Sequence, residues 1–363
     1  MKIKRLLKIA ILIAVFFVGV VFPIKGQAEG LPFSVRPLEP STQRDNTETF
    51  FDLILAPNKS TALQVDLINN TDKPIKVKVA MTQAQTSDSG IVDYKLPQKR
   101  DESLKSDIAD YFKGPKQVVI PAKQTYRYTG TLTMPAIKLP GIIAGGLTFT
   151  PVETTDSAQK KQGLSVKNQY NYEIATIARN VNQSWLPILK IGKATITQHS
   201  YQNTITLPMQ NPAPTFLNQL EITTNAINLL TGKTYIRTNS DMQMAPNSHF
   251  FYRLELPAKV ETGKYKVQTV AYFVKNSNGK YQDANGTHYQ YKETSTTTLT
   301  LSAQKAQKLQ QKLKKAKGGT PWFIYAIWIV IVLLVLILLV FIIFIILLMK
   351  KRKEKKEKDD ENK

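Results

Sequence analysis

The chain has 363 residues, none of them cysteine, and its 49 Lys and Arg against 27 Asp and Glu give a formal net charge of +22. Without cysteine it forms no disulfides and no thiolate sites, so its stability must come from packing and from hydrogen bonding in sheets. The positive charge favours anionic partners such as teichoic acids or lipid headgroups, with ordinary solvated lysines as the alternative.

The amino end has the features of a signal peptide. A basic region opens the chain and is followed by the apolar run Ile9 to Phe22. Gly26 and Ala28 then occupy positions −3 and −1, where signal peptidase accepts only small side chains. We predict a signal peptide over residues 1–28, cleaved after Ala28, with an uncleaved anchor as the alternative. Export removes nucleic acid from the expected partners.

From Phe50 onward the apolar residues recur with period two, as in half-buried antiparallel strands. A polar cluster, Asn69 to Pro74, predicts either a hairpin or a connection between two sheets. We therefore predict that residues 29–182 form an immunoglobulin-like β-sandwich. Its predicted strands are Phe50–Leu55, Thr61–Asn69, Ile75–Met81, Val118–Ile120, Tyr126–Met134, Gly141–Thr150 and Tyr170–Ala178.

One helix is predicted inside this first domain. Leu104, Ile108 and Phe112 would share one helical face, and Asp101 or Ser103 is a suitable cap, so we expect a helical lid on the sandwich edge.

The strand after Lys138 is rich in glycine. Gly141, Gly145 and Gly146 lack side chains, which predicts a bulge, a tight bend or, alternatively, a gap for a ligand.

The alternating pattern resumes after a short linker near Val181 to Trp185. Asn276 to Gly279 is a strong hairpin signal inside it. We predict a second immunoglobulin-like sandwich over residues 183–302, which makes the fold all-β with two tandem sandwiches. Its predicted strands are Asn203–Met209, Leu220–Ile227, His249–Leu256, Gly263–Val274 and Thr287–Leu301.

The carboxyl end has the features of a membrane anchor. Residues 303–321 predict a lysine-rich helical stalk, either a solvated spacer or a segment near lipid headgroups. The apolar run 322–349 would extend roughly 42 Å as a helix, enough for one transmembrane crossing. We predict that Trp322, Tyr325 and Trp328 lie in the outer interface and that a basic cytoplasmic tail, 350–363, follows. The tail opens with Lys350, Lys351, Arg352 and Lys353.

Catalytic motifs are missing from the sequence. His199, His249 and His288 lie far from any nucleophile motif, and neither GxSxG nor HExxH occurs. We therefore predict no enzymatic activity, no catalytic or metal-binding residues and no cofactor.

Several segments resemble the WxL-interacting proteins of Gram-positive bacteria, which join a domain of unknown function numbered 916 to one numbered 3324. The resemblance covers Phe33 to about Leu301 and depends on the order and spacing of its segments. Those of the first domain are Phe33–Pro37, Phe51–Leu53, Leu63–Asn70, Gly141–Phe149 and Tyr172–Ala178, and those of the second are Gln210–Pro212, Met244–Ser248 and Ala258–Val274.

The resemblance implies a surface protein of the Gram-positive envelope, single-pass in the cell membrane, with its amino-terminal part outside. It also implies that the first domain binds peptidoglycan and the second host matrix proteins, beside partner proteins that carry WxL domains. We therefore predict a non-catalytic adhesion and scaffold protein. The alternatives are a wall-active hydrolase using Asp93, Asp107 and Asp110, and a structural spacer.

Overall fold

The computed structural model describes residues 33–95, 100–152, 171–316, 327–334, 336–337, 340–341 and 343–348. Strands dominate this part of the chain, so the prediction of an all-β fold is confirmed. The strands form two sandwiches, each with two sheets around its own buried apolar cluster.

The first sandwich packs a sheet of order β1-β3-β9-β7 on a sheet of order β2-β11-β10-β4-β8, with β5 and β6 as a separate hairpin. Alternate residues of β3, namely Leu63, Val65 and Leu67, are fully buried between the sheets. The strands are β1 (Phe33–Leu38), β2 (Phe51–Ile54), β3 (Ser60–Asn69), β4 (Ile75–Gln83), β5 (Gln85–Thr86), β6 (Val92–Asp93), β7 (Phe112–Lys113), β8 (Gln117–Ile120), β9 (Thr125–Thr133), β10 (Ile142–Pro151) and β11 (Tyr172–Arg179).

The polar cluster after β3 connects the two sheets, which was one of the two predicted alternatives. Asn69 fixes this corner with its side chain. Its Nδ2 donates to the carbonyls of Lys73 at 2.8 Å and Pro121 at 3.0 Å, and its Oδ1 accepts from the Thr71 amide at 2.8 Å. The buried amide replaces the backbone pairing that the turn interrupts.

The predicted helix over residues 101–112 is wrong. Only a 3₁₀ turn, Ile108–Tyr111, is present, and Phe112 already begins β7. The Asp101 and Asp107 carboxylates each accept a hydrogen bond from a backbone amide two residues ahead, at 2.9 Å. Such local side-chain bonds close tight turns that compete with an α-helix.

The glycine-rich strand β10 contains neither a bulge nor a gap for a ligand. Its pairing with β4 and β11 runs without a register shift through Gly145 and Gly146. A methyl group on Gly145 would lie 2.4 Å from Ile108 Cγ2, and one on Gly146 would lie 2.5 Å from Tyr94 Cγ. The glycines therefore make room for protein side chains that cover this sheet.

The second sandwich also consists of two sheets. In one, β14 is the central strand, with β17 on one side and β12 and β13 along the other. It packs on a five-stranded sheet of order β16-β15-β18-β20-β19. The turn predicted at Asn276 to Gly279 is present, with the Gly279 amide donating to the Asn276 carbonyl at 2.7 Å. The strands are β12 (Lys190–Ile191), β13 (Thr195–His199), β14 (Gln202–Asn211), β15 (Leu217–Asn228), β16 (Thr234–Met244), β17 (Ser248–Leu256), β18 (Gly263–Lys275), β19 (Tyr281–Gln282) and β20 (His288–Leu301).

Helix α1 (Ala303–Ala316) follows β20 directly. Ala306 and Leu309, three residues apart on one helical face, are buried in the core of the second sandwich. Gln198 Nε2 donates to the Leu309 carbonyl at 2.6 Å. The predicted stalk is helical here, but this part of it is packed on the sandwich and is not a free spacer. The domain boundaries after residues 28, 182 and 302 stay predictions.

The predicted membrane anchor is described only in part. No helix among the described residues is long and apolar enough to cross a membrane. Trp328 lies in a described helical stretch, 327–334. The signal peptide with its cleavage site at Ala28, together with Trp322, Tyr325 and Lys350 to Lys353, lies outside the described residues.

Candidate binding cleft between the two sandwiches

The β5–β6 hairpin of the first sandwich is hydrogen-bonded to the second. The Thr86 and Ser248 hydroxyl oxygens lie 2.6 Å apart, and Thr86 Oγ1 also accepts from the Ala245 amide at 3.0 Å. At the hairpin turn, the Gln243 amide donates to the Gly90 carbonyl at 2.8 Å. These hydrogen bonds are buried or partly buried, so they fix the position of one sandwich relative to the other.

A small apolar cluster lies beside these bonds. Ala84, Ala144 and Ala245 are buried together, and the Ile142 amide donates to the Pro214 carbonyl at 2.9 Å. The second sandwich thus covers the outer face of the sheet that contains β10. This explains why β10 is apolar on both faces, unlike a strand with one face in water.

A cleft of about 420 Å³ opens next to this junction, and we call it the interdomain cleft. Its volume falls within the range of small-molecule sites, about 300–1,000 Å³. Both sandwiches supply its wall. Its lining includes Gln83, Asp88 and Asp101 from the first sandwich and His249, Phe251 and Arg253 from the second.

Asp101 links the two sandwiches in the wall of the cleft. Its Oδ2 lies 2.7 Å from His249 Nδ1, and its Oδ1 accepts from Gln210 Nε2 at 2.9 Å. Burial raises the pKa of this carboxyl, but hydrogen bonds from Ser103, Gln210 and His249 outweigh burial and hold the pKa below its ordinary value. Asp101 is therefore an anion at neutral pH, already satisfied by its neighbours.

An ion pair between the two sandwiches also lies in the cleft wall. Asp88 forms an ion pair with Arg253 and accepts from the Phe251 amide at 3.1 Å. The Arg253 guanidinium carbon lies 5.6 Å from the centre of the Phe251 ring, in cation–π range. This arrangement fixes the Phe251 ring, which is still 39% exposed.

Gln83 lies at the end of β4 and is 4% exposed. Its Oε1 has no hydrogen-bond partner among the described residues. A buried acceptor without a hydrogen-bond donor destabilises the folded state by about 1–3 kcal/mol. The Gln83 oxygen in the cleft wall is therefore an acceptor that still lacks a donor.

The carboxylates proposed for a hydrolase do not converge. Asp93 lines the cleft, but Arg100 binds Asp107 at 2.8 Å and Asp110 at 3.4 Å, so these two are occupied by a cation. Within the described ranges, no group of three or more His, Asp or Glu side chains is placed to hold a metal ion.

Apart from Asp93, the charged and aromatic residues of the cleft cannot be recognised as a site from the sequence. The three histidines are far apart in the chain, whereas the fold brings His199 and His249 to one cleft and leaves His288 outside its lining. Asp101 and His249 are 148 positions apart, so no local pattern relates them. The segment Met244–Ser248 has a family resemblance, and His249 opens a predicted strand, but neither pattern indicates a cleft.

One more buried carboxylate lies on the outer side of the first sandwich. Asp66 of β3 is bound by Arg127 at 2.9 Å and by Arg36 at 2.8 Å, across three neighbouring strands. Hydrogen bonds from Arg127 and then Arg36 lower the pKa of Asp66 to about 2. The two half-exposed arginines make this face cationic.

Two family models match the chain. One, described as "WxL Interacting Protein, peptidoglycan binding domain", matches residues 33–151, and the other, "WxL Interacting Protein, host binding domain", matches residues 161–311. Each match falls mainly on one sandwich. A comparison with curated proteins finds no match.

Several solved structures are similar at low identity. A chaperone–tip adhesin complex of CFA/I fimbriae is 8% identical over 67% of this chain and 94% of its own, with a TM-score of 0.30. The E. coli chaperone DraB is 16% identical over 74% and 99%, with a TM-score of 0.27. The Salmonella enterica SafA pilin–SafB chaperone complex is 13% identical over 75% and 98%, with a TM-score of 0.29.

Proposed function

Because the chain belongs to the WxL-interacting protein family, we propose that it is a non-catalytic adhesion and scaffold protein of the cell surface. The observation that carries this proposal is the match of one binding-domain model to each sandwich. The pairing of Arg100 with Asp107 and Asp110 also supports a binding role over hydrolysis. Both carboxylates are held by a cation and so are poorly suited to act as general acid and general base.

In this proposal the principal ligand of each sandwich follows from the family model that matches it. The first, predicted over residues 29–182, binds peptidoglycan. The second, predicted over residues 183–302, binds a WxL-domain partner protein and, as a further ligand, host matrix proteins. The descriptions of the two family models support peptidoglycan for the first sandwich and a host ligand for the second, and both describe a WxL-interacting protein.

The protein reaches the wall from the membrane. We propose that the signal peptide is removed after Ala28 and that the apolar run 322–349 crosses the cell membrane once, with the tail 350–363 in the cytoplasm. The sequence supports this, because an uninterrupted apolar run followed by four basic residues is typical of a stop-transfer anchor.

The WxL-domain partner is proposed to add a strand along β16. This strand lies at the edge of its five-stranded sheet and pairs on one side with β15. Ile236 on β16 is 64% exposed, although isoleucine is among the residues most often buried. A bound partner strand would cover this side chain. Edge strands bind extended segments through their unpaired backbone groups.

A pull-down with the full chain in mild detergent tests the proposal. We expect retention on purified sacculi and on an immobilised WxL-domain protein, and saturating sacculi should not displace the partner. Ile236→Lys should weaken only partner binding, because the charge lies on the edge strand. Absence of retention on both ligands would eliminate the adhesion and scaffold function.

A further inference from the structure

We infer that the interdomain cleft is the binding site for the N-acetylated glycan strand of peptidoglycan, and that both sandwiches contribute contacts. The inference rests on the proposed peptidoglycan binding and assigns it a place. The residue range of the peptidoglycan-binding model, 33–151, supplies only one wall of this cleft.

The charges of the cleft indicate an uncharged polar ligand. Asp88 is paired with Arg253, and the Asp101 carboxylate accepts hydrogen bonds from Ser103 and Gln210 and lies 2.7 Å from His249 Nδ1. Lys95, also in the lining, has its Nζ 3.3 Å from the carboxylate of Asp93. The cleft cations Arg253, Lys95 and Arg100 are each paired with a carboxylate, and the Asp101 carboxylate is satisfied by hydrogen bonds. A phosphate polymer or a metal cation would therefore have to displace an existing partner. A neutral sugar backbone would not.

Gln83 supplies an acceptor for such a ligand. Its buried Oε1 needs a donor, and the described part of the chain provides none. The amide N–H of an acetamido group, or a sugar hydroxyl, is a neutral donor that would satisfy this oxygen. A site built to receive a hydrogen bond also rejects analogues that lack the donor.

Phe251 supplies the apolar surface. Its backbone amide is held by Asp88 and its ring is covered on one face by Arg253, so the ring is fixed while 39% of the residue remains exposed. The C–H face of a pyranose packs on an aromatic ring of this kind because both surfaces are flat and apolar. Phe251 lies on β17 of the second sandwich, outside the residues matched by the peptidoglycan-binding model.

The test measures binding of the full chain, in mild detergent, to sacculi from which teichoic acids have been removed. Phe251→Ala should weaken binding about tenfold, the loss expected for a central aromatic contact. Gln83→Met, which keeps the side-chain volume and removes the acceptor, should also weaken it. Leu230→Ala removes another exposed apolar side chain, outside the cleft lining, and should bind like the unaltered chain.

Competition with soluble oligomers identifies the chemistry. A tetramer of N-acetylglucosamine should displace the protein from sacculi, whereas the deacetylated tetramer should not. Thermal unfolding midpoints show whether a variant is folded, and Phe251→Leu provides a milder change if Phe251→Ala unfolds.

Each outcome decides between the two proposals. Unaltered binding by folded Phe251 and Gln83 variants would overturn the cleft assignment and leave peptidoglycan binding in place. Loss of all binding when teichoic acids are removed would also overturn it, because the ligand would then be the anionic polymer. Failure of the unaltered chain to bind intact sacculi would overturn both.

Discussion

At the scale of single residues, Asp101 is the carboxylate that joins the two sandwiches. Asp101→Ala would leave the side chains of His249 and Gln210 without their buried acceptor. We expect a loss of about 2 kcal/mol in the free energy of unfolding, measured by urea denaturation of the full chain. Glu102→Ala, at the exposed neighbouring position, is the matched control and should have little effect. Equal stability of the two variants would show that the junction does not depend on Asp101.

The acid sensitivity of the first sandwich is assigned to Asp66. Its pKa is about 2 in the folded chain against an ordinary value of 3.8. Because the folded value is the lower one, the stabilisation is fully present above the ordinary value and is lost as pH falls through about 2. Asp66→Asn should therefore make the unfolding midpoint less dependent on pH between 3.8 and about 2. Asp72→Asn, at an exposed site, should keep the unaltered profile, and a flattened profile there would contradict the assignment.

At the scale of elements, α1 is part of the second sandwich. Leu309→Ala would remove a side chain that is 8% exposed and packed in the core. We expect the free energy of unfolding to fall by about 2–3 kcal/mol, measured by chemical denaturation. Gln307 is exposed on the opposite side of the helix, so Gln307→Ala should change the free energy of unfolding by about a few tenths of a kcal/mol at most. If both variants behave alike, the helix is a spacer after all.

Strands with strict alternation could be predicted from the sequence, as β3, β14 and β18 show. The edge strand β16 could not, because its residues are mostly polar and give no clear period. The 101–112 segment has helical spacing, but its aspartates form local turns that a pattern does not reveal. Only the packing of one sandwich on the other creates the cleft, so its residues carry no signal that single-strand periodicity can detect.

At the scale of the whole molecule, the junction can be tested with cysteines, since the chain has none. The Thr86 and Ser248 hydroxyl oxygens lie 2.6 Å apart, so cysteines at both positions should form a disulfide under mild oxidation. Peptide mapping by mass spectrometry would detect it. As a control, Thr86→Cys is combined with Thr231→Cys. Thr231 lies in the exposed turn after β15, so this cysteine pair should stay reduced. The opposite result would mean that the sandwiches do not meet through the β5–β6 hairpin.

Peptidoglycan binding without cleavage is tested most directly by one sedimentation measurement. The full chain is incubated with purified sacculi, and both the protein in the pellet and the muropeptides in the supernatant are quantified. We expect saturable retention of the protein and no release of muropeptides above the protein-free control. Release of muropeptides, or absence of the protein from the pellet, would contradict a non-catalytic wall-binding protein.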